Sequence, residues 1–477
     1  MGNSTLPGHN KNLKPIRGLP ACRWSLKLLH DPIACMRDAF QREGPLAAVG
    51  LPFKRPQRLY ALAIGPEFNR PILGDPTLFR PSGPPLRWRP IREDSALHRL
   101  SFGLTRMHGP KHQQQRRLAM PPFQRKGVEG YTPTITTVTE QLLEGWAGKQ
   151  SIDICPEMRA LLFRISSRTL FDLENHEAAY ALGHMMQEWI NLSYSAGVWM
   201  VPFDFPGAPR RRLVEHAERL ESGILRMIEE KRTVAAGCDD VLSLLIRSRD
   251  EGNLQMTEAE LVGHSTIFFS ASFLTTSNAM TWTLFLLAQH PRIMADLLDE
   301  LDGTLHGAPP TTEQLEQLPL LEAVINESLR ILPPVPLTVR KVNRSVELGG
   351  LQLQRHDRVL LGHYMTHRLP ELYPDPEEFR PRRWFEIDPG PYEYVPFSAG
   401  PRMCIGYTFA MSVLKISLAM ILQRFRLTVM PGARIDRYVD FSLSPKYGLP
   451  MSLHRQDRQF RASPVRGDIH EMVKLPS

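Results

Sequence analysis

The last cysteine of the chain, Cys404, stands in FSAGPRMCIG (397–406), two residues after Arg402 and between Gly400 and Gly406. A thiolate is a strong metal ligand. A guanidinium brings fixed donors for a carboxylate, and glycines admit positive φ and let a group approach the backbone. The stretch therefore has the chemistry of a metal or cofactor loop, and equally that of a turn burying a small thiol. The apolar run TFAMSVLKISLAMILQRF (408–425) follows directly and reads as a helix. It directs the positive end of its dipole at the sulfur and favours the thiolate, which a merely buried thiol would not need. Other sets with usable spacing are Glu327 with Arg330 in NESLR, three apart, and His112 with Arg116 in HQQQR, four apart on one helical face. His356, His363 and His367 also offer metal ligands, but their segment reads as strand and turn and no acid completes the set.

These groups need elements to hold them. Thr257 with Glu260 forms a capping-box pattern opening a helix that runs to about Gln289, roughly 50 Å at 1.5 Å per residue. Its part STIFFSASFLTTSNAMTWTLFLLAQ (265–289) carries no charge and is long enough for a bilayer. Six hydroxyl and amide side chains crowd its centre and no basic flank follows closely, so it reads as a helix buried within a large protein. LPLLEAVINESLRI (318–331) is a helix entered at Pro319 and stopped by Pro333-Pro334. HGPKHQQQRRLAMPPF holds one helix of about ten residues between its prolines. Helical spacing recurs over 130–149, 157–173, 175–195, 210–232 and 291–304, and 23–48 suggests one short helix and a turn. RLYALAIGP is strand-like, two or three short strands surround Gly349-Gly350, and 371–400 is coil rich in Pro and Arg. The fold class is mainly α with small β regions. With no repeat and no linker, the chain divides into an arm (1–17), one domain (18–453) and a polar tail (454–477), partly disordered.

The 477 residues, 42% apolar and 23% charged, suit a globular protein with a large core. Five scattered cysteines without a CxxC pair point to a reducing compartment and no disulfide framework. The net charge of +8 is spread over the chain with clusters at 111–117, 209–212 and 380–384. No zinc-finger spacing or aromatic RNA motif accompanies them, so no nucleic-acid partner is expected, and the clusters read as a face for an acidic protein partner or equally as solvated surface. The N-terminus lacks a signal-peptide core, and Leu6 breaks the myristoylation pattern. A cytoplasmic monomer without a membrane anchor is expected.

Taken in order, the motifs resemble those of the cytochrome P450 family, the haem-thiolate monooxygenases, over roughly residues 18 to 453. FSAGPRMCIG matches the family's Phe-x-x-Gly-x-Arg-x-Cys-x-Gly, Glu327 and Arg330 its Glu-x-x-Arg, DPEEFRPRRW (375–384) the coil between them, and ASFLTTSNAMTW the long helix over the haem. The resemblance implies a helical prism with that helix across it, and haem b with Cys404 as the axial thiolate, a ligand that favours O–O cleavage. It implies Phe397 beside the sulfur, and Arg402, His112, Arg116 and Arg340 around the propionates. Glu327 and Arg330 become structural, with Arg380 or Arg383 completing a buried network.

The oxygen-side motif Ala-Gly-x-Asp/Glu-Thr aligns with Ala271 to Thr275. Thr275 is kept and is expected to be catalytic, but Leu274 replaces the acid and Ser272 the glycine. Either water and Ser272 would then carry protons, or another acid reaches in, or proton delivery is slow; the alternative functions are oxidative coupling or rearrangement, peroxide-driven oxidation, or a non-catalytic haem sensor or carrier. The resemblance places Phe268, Phe269, Phe273, Leu274, Val335, Leu337, Thr338 and Asp440 to Ser442, with Phe441 among them, around a hydrophobic substrate: a fatty acid, a terpenoid or steroid, or an aromatic metabolite. Arg89 or Arg92 would meet a substrate carboxylate. No flavin or nicotinamide fingerprint is present. Electrons from NAD(P)H are expected through a separate ferredoxin or flavodoxin and its reductase, with molecular oxygen as co-substrate.

Overall fold

In the computed structural model the described residues are 15–50, 58–82, 91–173, 176–195, 197–198, 201, 203–233, 237–238, 240–250 and 256–476. They fall into two compact units. The first combines the N-terminal segments with Arg330–Glu377 and Asp388–Cys404. The strands of its larger sheet are β1 (Leu46–Gly50), β2 (Leu59–Ala63), β3 (Phe79–Pro81), β4 (Thr338–Val342) and β5 (Arg358–Leu361), ordered β1-β2-β5-β4-β3, and Val346–Leu348 pairs with Leu351–Leu353 around Gly349-Gly350. The β2–β5 pair is parallel and the others antiparallel. LYALA is buried along almost its whole length, as a strand covered on both faces must be. Ala61, Ala63, Val359 and Leu361 pack with Phe68, Ile72 and Leu73 of the helix Pro66–Gly74. Val395 and Ala399, from the coil leading to Cys404, belong to the same core, so the sheet anchors the cysteine loop.

Where one short helix was expected over 23–48 there are two, Leu19–His30 and Pro32–Glu43. Asp31 explains the break: its carboxylate accepts the Ala34 N–H at 3.0 Å, and Pro32 starts the second helix without a donor to satisfy.

The second unit is mostly helical and includes α1 (Gly109–Ala119), α2 (Ile154–Leu170), α3 (Pro209–Arg232), α4 (Glu258–Gln289), α5 (Pro319–Ile331, whose last two residues fall in the first unit) and α6 (Tyr407–Arg424). The predicted capping box is present: Thr257 Oγ1 accepts the Glu260 N–H and Glu260 returns the favour to the Thr257 N–H at 3.0 Å. α4 is buried on nearly all sides, its apolar residues spread around the helix and most of its hydroxyls bonded back to its own carbonyls. Among the described residues no helix is long and apolar enough to cross a membrane. In mid-helix the coverage fails at Ile267, Ala271 and Thr275, four apart and therefore one stripe, and at Ser272 beside it.

Two crossings fix α4. Gly263 meets the chain at Phe102 and Gly103 so closely that a Cβ at 263 would lie 2.5 Å from the Phe102 carbonyl oxygen. Further along, Asn278 donates to Ser442 Oγ at 2.9 Å and Trp282 to the Leu443 carbonyl at 3.0 Å, tying down the hairpin Arg437–Val439/Leu443–Pro445.

The closing segment departs from the expected loose tail. Ile469, Met472 and Val473 are buried, Arg458 pairs with Asp299 and Asp302, and Lys474 pairs with Glu378 at 2.7 Å. Asp468 and Glu471 hold Arg437. Polar composition hides three apolar anchors and a set of distant charges, neither of which local pattern reveals.

Candidate functional site

The cysteine loop is bent by its backbone. Gly400 has φ 67°, and a Cβ there would lie 2.6 Å from the Leu73 carbonyl oxygen, so only glycine fits. Ser398 is also left-handed, at φ 60°, a strain a non-glycine residue adopts only when its surroundings impose it. The loop closes through the Cys404 N–H, which donates to the Phe397 carbonyl at 2.9 Å. Cys404 is the exposed member of the five cysteines. Burial pushes the thiols of Cys35 and Cys155 up to about 12, which makes them inert. Cys404 instead precedes α6 by three residues, and the helix N-cap, Gly406, offers no side-chain cap.

Arg340 lies on β4 and is buried at 7% exposure. Burial, and then the neighbouring charge of Arg402, bring its guanidinium down to about 10. Among the described residues it has no carboxylate partner, only a hydrogen bond to the Val339 carbonyl at 3.3 Å. A buried cation next to a second cation costs several kcal/mol (~) unless an anion joins them. His363, fully buried, meets Thr338 Oγ1 through Nε2 at 2.9 Å. Burial and then Arg340 hold its ring neutral, down to about 3. Val335, Leu337 and Thr338 are half-buried in an otherwise buried segment.

Of the arginines expected to complete a network with Glu327, Arg383 meets it through its side chain and Arg380 through its backbone. Glu327 Oε1 accepts from Arg383 Nε at 2.9 Å and from the Arg380 backbone N–H at 2.9 Å, while Trp384 Nε1 donates to Oε2 at 3.1 Å. Glu327 and Arg383 are fully enclosed. Arg383 thus supplies the guanidinium, and the Arg380 side chain turns to Glu386. Arg330 donates to the carbonyls of His367 and Pro376 at 2.9 and 2.8 Å and lies over the Tyr373 ring.

On α1, His112 is buried and Arg116 half-buried. On α4, Thr275 donates to the Ala271 carbonyl at 3.2 Å and Ser272 to that of Phe269 at 2.9 Å. Leu274 is buried. The expectation that Phe269 and Phe273 line the substrate pocket needs correcting. At 100° per residue they point away from the Ile267–Ala271–Thr275 stripe, and they pack on Phe163 of α2 with ring centroids 5.3 and 5.6 Å apart. Phe268 packs on Phe123 at 5.7 Å. Phe441 is half-buried, 5.8 Å from the Tyr194 ring, and Ser442 is taken up by Asn278. Arg92 pairs with Asp94 on the surface, and Arg89 lies outside the described residues. The histidines do not form a metal set: His363 serves Thr338, His367 Nε2 accepts the Val395 N–H at 2.9 Å, and His356 sits in a left-handed turn.

The cytochrome P450 family model matches residues 87–449. The chain is a cytochrome P450. Among its relatives, cyclooctat-9-en-7-ol 5-monooxygenase of Streptomyces melanosporofaciens is 31% identical over 80% of this P450 and 82% of the relative. Cyclooctatin synthase of the same organism is 30% identical over 90% and 92%, and pentalenene oxygenase of Streptomyces avermitilis 28% over 78% and 82%. A solved structure of retinoic acid bound cyanobacterial CYP120A1 superposes with TM-score 0.78 at 23% identity, covering 90% of this chain and 96% of that one, which establishes the shared fold. The family is one of haem-thiolate monooxygenases, and the residues of this P450 fit haem. An exposed sulfur stands at a helix N-terminus, and the buried guanidinium of Arg340 has no carboxylate partner among the described residues, which a porphyrin's carboxylates would supply. Reading the sequence missed Trp384, whose indole completes the Glu327 site, and His363, which was weighed only as a metal ligand.

Proposed function

We propose that this P450 binds haem b through Cys404 and inserts one atom of dioxygen into a cyclic terpenoid- or steroid-like molecule. The observation that carries the reading is the buried cation Arg340 beside the like charge of Arg402, in the same unit as the exposed, loop-held Cys404. Cys404 would hold the haem iron through its thiolate, and the bound group would supply dioxygen activation that a thiolate ligand favours. Phe397 flanks the sulfur, and the N–H groups after Cys404 tune it. Arg340 and Arg402 would receive haem carboxylates, a role the family motifs also give His112 and Arg116. Thr275 and Ser272 each return their proton to their own helix, leaving lone pairs that hold water at the uncovered stripe. Because Leu274 is apolar and buried, protons reach the site through that water and not through a neighbouring acid. Val335, Leu337, Thr338 and Phe441 border the substrate. The cyclic compounds in the names of the Streptomyces relatives favour a polycyclic substrate over a fatty acid. Electrons from NAD(P)H arrive through a separate ferredoxin or flavodoxin and its reductase.

The test is optical. Purified protein reduced under carbon monoxide should give the red-shifted Soret band of a thiolate-ligated haem, and Cys404→Ala should abolish it. Unchanged pigment and spectrum in that variant would refute the assignment.

A further inference from the structure

We infer that Thr338 presents its hydroxyl proton as a fixed hydrogen-bond donor, oriented by His363 behind it, and thereby selects substrates carrying an acceptor oxygen, a hydroxyl or carbonyl, over the bare hydrocarbon. This rests on the proposed haem-thiolate reading, in which Thr338 borders the substrate.

The protons available at the Thr338–His363 pair fix the direction of its bond. Thr338 opens β4, where it pairs with Leu361 at the end of β5, and His363 opens the short helix Gly362 caps two residues later. Their side chains meet at 2.9 Å through Oγ1 and Nε2. A neutral imidazole carries one N–H and one bare nitrogen. The ring's other nitrogen, Nδ1, is buried and has no hydrogen-bond partner among the described residues. Buried N–H groups without an acceptor are rarer and costlier than buried acceptors without a donor. The proton therefore sits on Nε2 and is donated to Thr338, and the neutral state imposed by burial and Arg340 prevents a second proton from joining it.

Thr338 Oγ1 then accepts from His363, and its own proton must go elsewhere. A threonine in a helix returns it to the carbonyl four residues back, as Thr275 and Thr366 do here. On a strand no such carbonyl is in reach, and Thr338 has no other side-chain bond among the described residues. His363 is fully buried and Thr338 half-buried, so the threonine is the open end of the pair. A ligand oxygen satisfies the exposed proton, whereas a hydrocarbon covers it and leaves it unpaired. Sites built around a hydrogen bond discriminate strongly against the analogue lacking the polar atom.

The test uses the full-length, haem-loaded protein titrated with matched pairs, cedrol against cedrene and cholesterol against cholest-5-ene, read by the spin-state difference spectrum. The wild type should bind the alcohol about tenfold more tightly than the hydrocarbon. Thr338→Val should bring the ratio close to one, with the loss falling on the alcohol, while Thr338→Ser keeps the preference. His363→Leu, which frees the hydroxyl to turn, should reduce it; if that variant does not fold, the Val and Ser pair decides. No preference in the wild type for either pair, or a preference that survives Thr338→Val, overturns the inference. It is also overturned if Thr338→Val shifts the haem midpoint potential and leaves the preference intact, since the proton would then serve a haem carboxylate. Failure of the underlying reading would be visible separately, as a wild type without the thiolate-type carbon monoxide band.

Discussion

At the scale of the residue, Arg340 concentrates the conflict between stability and binding. Its side chain is enclosed, the neighbouring charge of Arg402 has the same sign, and burial has already lowered its proton affinity. Replacing it by methionine keeps the volume and removes the charge. The haem-free protein should then unfold at a higher temperature than the wild type, since an uncompensated buried charge has gone. The same variant should lose haem faster to a scavenging apoprotein such as apomyoglobin. Thermal scans and transfer kinetics measure the two effects, and a variant that is both less stable and equally retentive would contradict the account. The bare sequence gave the position and type of Arg340 but not this tension, because the charge of Arg402 reaches it only through the folding of the loop onto the sheet.

At the scale of the element, the coil Glu378–Ile387 is held by one carboxylate with three donors, from Arg383, Trp384 and the Arg380 backbone. Glu327→Ala leaves Arg383 buried without its counter-charge and should cost about 3–5 kcal/mol, read as a lowered denaturant midpoint. Arg383→Lys should also be damaging, because an ammonium cannot reproduce the guanidinium fork. A Glu327→Ala protein as stable as the wild type would refute this. The helices at Thr257 with Glu260 and at Pro319 were legible because capping and proline residues mark their ends, whereas the same kind of signal at Asp31-Pro32 went unread and hid a helix break. The face each helix turns inward was less so. Phe269 and Phe273 have the same composition whether they meet a ligand or the Phe163 ring, and only the uncovered stripe at Ile267, Ala271 and Thr275 separates the two cases.

At the scale of the whole molecule, two properties are distributed over the chain. Burial holds His264, His363 and His367 neutral, His264 down to about 4, His363 to about 3 and His367 well below the ordinary range. In the unfolded chain each takes up a proton as the pH falls through about 6.5, while the folded protein declines it. Their contribution to stability is complete above about pH 7 and is lost as the pH falls towards those depressed values, unfolding taking up close to three protons by about pH 5. The slope of unfolding free energy against pH measures this, and a flat profile from pH 7 to 5 would exclude it.

The second distributed property is the C-terminal strap, which lies beyond the family match ending at residue 449. Met472→Ala opens a buried site and should cost about 2–5 kcal/mol, whereas Lys474→Ala removes an exposed pair worth at most about 1 kcal/mol. Equal effects of the two substitutions on the melting temperature would mean that the strap is held by its charges. It escaped the sequence reading because its anchors are single side chains spaced without a helical or strand period.

The crossing at Gly263 also bears on how this enzyme can change over generations. Two main chains touch there with no room for a methyl group, so the position offers nothing to selection. One turn further along, Ile267 and Ala271 border open space and tolerate other sizes. New substrate ranges, whether arising in nature or in a randomised library, should therefore accumulate from 267 onward and leave 263 as it is.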